Sequence, residues 1–132
     1  MDEARKDDAA RLSRSPVEYA VHNISQSITL PCRVTVAGAH PFLGKPPGTD
    51  EAPGGSGLWI GPCETIHTFG REEPIDILFL DKRFVVCKVL PLLPPRRVSV
   101  CLAADSVLQL QAGVIARTRT KIGDHLLFEG LF

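Results

Sequence analysis

The chain has 132 residues, 44% of them hydrophobic, with fifteen basic and fifteen acidic side chains that cancel. That length leaves room for one domain, and that apolar content excludes wholesale disorder. The balanced charge excludes a global field that would gather nucleic acid or an anionic membrane, and no run approaches the roughly 18 apolar residues of a bilayer span.

Residues 1–27 read as a polar tail, disordered or loosely attached. The first fourteen carry four acids and four bases, with neither an apolar stripe to pack nor the apolar segment of a secretion signal. The bacterial cytoplasm is therefore the expected compartment. Residues 28–132 read as a single β domain. ITLPCRVTV, from Ile28, is β-branched and interrupted by Pro31, which suits an edge strand. Residues 38–57 are rich in glycine and proline and read as a long loop. GLWI and CETIHTF are two short β segments. IDILFL (75–80) and RFVVCKVL (83–90), joined at Asp81-Lys82, read as a hairpin. PLLPPRR reads as a connector, and VSVCLA and SVLQLQ as two more strands. AGVIARTRT suits one or two helical turns, and Ile122-Gly123-Asp124 turns into a last strand, HLLFEGLF. Many short strands and little helix predict a mainly β fold, barrel-like or sandwich, with one or two short helical segments.

The middle of the chain resembles a known family. GLWIGPCETIHTFGREEPIDILFLDKRFVVCKV, then SVLQLQAG and IGDHLLF, follow the ordered motifs of the domain-of-unknown-function family DUF192 over about residues 30–129. The resemblance implies a compact barrel-like or sandwich β fold of bacteria and archaea. It implies no activity. The chain departs from the family pattern in three places. Arg71 stands where methionine is usual, Gln109 stands where V-L-E-L has its glutamate, and 38–57 replaces a more regular segment. The Gln109 departure puts in doubt any site that would use that glutamate as base or ligand.

The four cysteines, Cys32, Cys63, Cys87 and Cys101, show neither CxxC nor zinc-finger spacing, so neither metal nor disulfide is expected. Cys87 and Cys101 lie in apolar runs and read as small core residues. Cys63, Thr65 and His67 share a face if the strand is regular, but Cys63 and His67 would then stand about 13 Å apart, too far for a nucleophile–base pair. A half-buried, hydrogen-bonded His67 is the expectation. Asp76 alternates with Leu78 and Leu80, so its carboxylate must find partners. Thr68 and His67 are first in line, either as an acid–base pair in a pocket or as a clasp on the 65–73 segment. Trp59 and Phe69 read as core, with a ligand-stacking wall as the alternative. Arg96, Arg97, Arg117, Arg119 and Lys121 read as solvated surface.

The function expected from these residues is a non-enzymatic binding module. Its surface around 58–76 (Trp59, Cys63, Thr65, His67, Thr68, Phe69 and Asp76) would meet a small ligand or a protein partner. A hydrolase-like enzyme using His67 and Asp76 and a structural accessory subunit are the alternatives. No cofactor, metal, nucleic acid or membrane insertion is expected, and the protein is expected to be a monomer.

Overall fold

A computed structural model describes residues 18–37 and 56–131. The expectations for residues 1–17 and for the 38–55 part of the loop lie outside these. The described chain runs β1 (Glu18–Asn23), β2 (Ile28–Ala37), β3 (Ser56–Ile60), β4 (Thr65–His67), β5 (Ile75–Leu80), β6 (Val86–Leu93), β7 (Val98–Val100), β8 (Ser106–Gln111), α1 (Val114–Thr118) and β9 (Leu126–Leu131). Seven strands form one sheet in the order β6-β5-β8-β3-β2-β1-β9, and β4 pairs with β7 in a small second sheet. Only β2 and β3 run parallel; every other neighbouring pair is antiparallel.

The large sheet curls until its two edges touch. Val85 bridges His125, the Val86 N–H donates to the Asp124 carbonyl at 2.8 Å, and the Leu126 N–H donates to that of Phe84 at 2.9 Å. The contact is one bridge rather than a ladder, so the sheet does not close. Its enclosed face gathers Val21, Leu30, Val34, Leu78, Leu80, Val86, Leu108, Leu110 and Leu126, with Val114 and Ile115 of α1 packed among them. The outer face of β3, β5 and β8 carries Leu58, Ile60, Ile75, Ile77, Phe79 and Val107, and Ile66 of the small sheet covers it. β5 is therefore buried at all six positions. This is the pattern expected of a strand covered on both faces.

Three expectations are corrected. Residues 18–23 are not tail but β1, hydrogen-bonded between β2 and β9 with Val21 and Asn23 fully buried. The segment looked polar because its inward position 23 is an asparagine. Asn23 is held by the Asp124 carboxylate, to which its Nδ2 donates at 3.0 Å, and by Thr120 Oγ1 at 3.1 Å. Gln26 Nε2 and the Lys121 N–H also donate to Asp124. Burial alone would raise the Asp124 pKa, but these hydrogen bonds outweigh it and hold the carboxyl below its ordinary value.

β2 is not an edge strand either; it lies between β1 and β3. Pro31 is tolerated because it falls where the β1–β2 register slips, and among the described residues the β2–β3 ladder starts at Arg33. Its missing N–H therefore removes no ladder bond among the described residues. In addition, β6 runs on to Leu93 through Pro91, inside what read as a connector.

Candidate functional site

Strand alternation divides the expected site residues between two faces. Trp59 points into the enclosed core, where its ring lies 4.3 Å from that of Phe128 and 5.6 Å from those of Tyr19 and Phe84. Phe69 is exposed, 5.6 Å from the His67 ring. The two aromatics thus form no common wall.

Asp76 also faces the enclosed side, fully buried. Its partners are not Thr68 and His67. Oδ1 accepts the Leu92 N–H and Oδ2 the Ile115 N–H, both at 2.8 Å. Both donors are backbone groups that regular pairing leaves over. Opposite Asp76 the β5–β6 register slips, and Leu92 bulges out with φ 53°. Ile115 lies in the first turn of α1, where N–H groups have no intrahelical acceptor. Asp76 thus ties the β6 bulge and α1 to β5. Both its oxygens are engaged away from His67, which removes the geometric basis for a His67–Asp76 acid–base pair.

Cys63, Thr65, His67, Thr68 and Phe69 stay together on the small-sheet side. The Cys63 thiol donates to the Thr65 carbonyl at 3.0 Å. Burial, with the Glu64 charge behind it, pushes its pKa up, the reverse of an activated thiolate. Thr68 is the anchor. Its hydroxyl donates to the Pro94 carbonyl and accepts the Arg97 N–H, each at 2.8 Å, while its own N–H donates to the Arg97 carbonyl at 2.8 Å. The next residues turn at Gly70, φ 90°, and the Arg71 N–H donates to the Thr68 carbonyl at 3.3 Å. Thr68 therefore fixes where the 69–74 segment leaves the small sheet.

That segment forms one wall of a cavity of about 300 Å³ on the outer face. Arg71, Glu73 and Pro74 line it from the segment, Ser56 from the start of β3, Ile75 from β5, and Gln109 and Gln111 from β8. Gln109 sits between Leu58 of β3 and Ile77 of β5 in the ladders and is 5% exposed. Its Oε1 is buried and has no hydrogen-bond partner among the described residues. A buried amide oxygen in an apolar row costs about 1–3 kcal/mol when unsatisfied, so such positions tend to mark function. Arg71 and Gln109 thus line the same cavity.

The expected site residues missed this cavity. Arg71 and Gln109 stood out only as departures, and Ser56, Glu73 and Gln111 not at all. The available signal was Gln109 and Gln111 at i and i+2, alternating with Leu108 and Leu110, which places two amides on one face. A second, more open depression is lined by Asp81, Lys82, Arg83 and residues 102–105. Among the described residues no group of three or more His, Cys, Asp or Glu could hold a metal ion, and no helix is long and apolar enough to cross a membrane.

Comparison with known proteins agrees with this architecture. No curated protein matches the sequence. Among solved structures, one from Sinorhizobium meliloti, described as a "putative transcription regulator", superposes with a TM-score of 0.65 at 19% identity, covering 89% of this chain and 98% of that one. Another, a protein of unknown function from Novosphingobium aromaticivorans, gives 0.63 at 18% identity, covering 85% and 84%. Similarity at that identity speaks for the fold alone. The family DUF192, Uncharacterized ACR, matches residues 48–128, more than half of the sequence, and the chain belongs to it.

Proposed function

We propose that the protein is a binding module for a small polar ligand, held in the cavity between the 69–74 segment and the start of β3. The observation that carries this reading is Gln109 Oε1, buried without a partner among the described residues, in the wall of a cavity that Ser56, Arg71, Glu73 and Gln111 also line. At about 300 Å³ the cavity lies at the small end of ligand sites. The lining chemistry selects the ligand class. The positive charge of Arg71 in the lining favours a carboxylate. Gln109 Oε1 accepts from a ligand N–H or O–H, and Glu73 at the exposed rim favours an ammonium. An amino or hydroxy carboxylic acid of a few carbons satisfies all three.

The test is backbone amide NMR of the full chain titrated with a panel of free amino acids, hydroxy acids and neutral sugars. Shifts should cluster at Ser56, Arg71, Ile75, Gln109 and Gln111 for the acids and be absent for the sugars. Gln109→Leu should weaken binding at least tenfold. Shifts centred on Cys63–Phe69, or none at millimolar ligand, would overturn the assignment.

A protein partner is the second reading. It is favoured by Val98, Val100 and Leu102, which alternate along one side of β7 and its continuation at 59%, 44% and 79% exposure.

A further inference from the structure

Three of the four cysteines, Cys63, Cys87 and Cys101, pack against the outer core. Two of them meet: Cys87 Sγ lies 3.6 Å from Cys101 Sγ, across fourteen positions of sequence. Both are half-buried free thiols. Cys87 is the second residue of β6 in the large sheet, and Cys101 follows β7 in the small one. The elements around them are already fixed to each other. Lys88 Nζ donates to the Val100 carbonyl at 3.1 Å, and the Cys101 N–H donates to the Glu64 carbonyl at 2.8 Å. A disulfide needs its sulfurs roughly 2.05 Å apart, so closure asks for about 1.5 Å of approach, within reach of side-chain rotation.

We infer that Cys87 and Cys101 form a dithiol modification site, which a low-molecular-weight disulfide such as oxidised glutathione converts to an intramolecular disulfide. One protein thiolate attacks a sulfur of the external disulfide. That S–S bond breaks, and one glutathione thiolate leaves and takes up a proton. The second protein thiol gives its proton to solvent and attacks the protein sulfur of the mixed disulfide, expelling the second glutathione thiolate, which is protonated in turn. The two protein thiols lose two electrons and two protons, and the external disulfide gains them. The site is built for slow exchange. Burial, and then the Cys101 thiol beside it, push the Cys87 pKa up to about 11, so little thiolate is present at neutral pH. The new bond would staple the small sheet, which carries Thr68 and the 69–74 segment, to β6 of the large one.

The experiment incubates the reduced full chain with excess oxidised glutathione at pH 8, quenches it by alkylation under denaturing conditions, and maps tryptic peptides by mass. The expected result is that two of the four thiols disappear. The peptides spanning 84–88 and 98–117 become linked, no glutathione stays attached, and dithiothreitol reverses the change. Cys87→Ser and Cys101→Ser should each abolish the link and retain glutathione on the remaining cysteine of the pair. Persistence of four thiols, a stable glutathione adduct on the parent protein, or a comparable yield of links through Cys32 or Cys63 would overturn the inference. The parent's peptide map decides the matter even if a serine variant fails to fold.

Discussion

Replacing Asp76 by alanine removes the carboxylate acceptors of two backbone N–H groups that no ladder or helix satisfies among the described residues. Each of the two bonds, to Leu92 and Ile115, is 2.8 Å long and ends on a fully buried carboxylate. A hydrogen bond to a charged acceptor contributes about 1.5–3 kcal/mol, so the pair contributes roughly 3–6. Alanine also removes the carboxylate's own desolvation penalty, which opposes folding. The net loss expected is about 3 kcal/mol. With a urea m-value of about 1.5 kcal/mol per molar, the midpoint falls by roughly 2 M. Asp76→Asn keeps one acceptor oxygen but turns an NH₂ toward the other N–H; it should cost less than alanine, about 2 kcal/mol. Equilibrium urea unfolding measures both. Hydrogen exchange gives the local readout: the Leu92 and Ile115 amides should exchange much faster in Asp76→Ala than in the parent. A variant that loses under 1 kcal/mol, or keeps those two amides protected, would show that the carboxylate does not hold the bulge and helix.

Thr68→Val keeps the shape but deletes both hydroxyl hydrogen bonds; it should cost about 2 kcal/mol and loosen the 69–74 segment, seen as faster exchange at Arg71 and Arg97. Gly57→Ala would place a Cβ 2.8 Å from Val34 Cγ2 and 3.0 Å from the Gln109 carbonyl oxygen. It should destabilise by about 1–3 kcal/mol in thermal or urea unfolding, because a backbone atom cannot step aside as a side chain can. The Asp124 pKa is held below its ordinary value of 3.8, so its stabilising contribution is present above pH 4 and is lost as the pH falls through the depressed folded value. Asp124→Asn should therefore lower stability at pH 7 and flatten the decline of stability below pH 4; an acid limb as steep as the parent's would refute this.

The parts of the fold legible in the sequence are those fixed by nearest neighbours. IDILFL and SVLQLQ are strands at the residues expected, 75–80 and 106–111, and the Asp81 turn joins β5 to β6. In that turn Asp81 Oδ1 accepts the N–H groups of Arg83 and Val85, a closure carried within five residues. β1 was not legible because its inward Asn23 makes sense only beside Asp124, 101 positions away. The place of β2 was obscured for a related reason. Pro31 forbids a ladder bond only if one falls there, and the slip in register that spares it is a property of the pairing, not of the residue.

The candidate site illustrates the same limit. The run from Trp59 to Asp76 is dense in polar and aromatic residues, and density along the chain invites reading it as one surface. A strand cannot present it so, because consecutive side chains point to opposite faces. Trp59 and Asp76 go to the enclosed core, while Cys63 and Ile66 go to the outer one. Polar groups gather on one face only where strands distant in sequence place the same parity side by side. Gln109 of β8 stands next to Leu58 of β3 and Ile77 of β5, and Gln111 next to Ile75. The 69–74 segment, anchored at Thr68, brings Arg71 and Glu73 to the same side. The cavity is thus a product of sheet order. Its lining brings Arg71 and Gln109 together from positions 38 residues apart, which no reading of a single run of sequence could do.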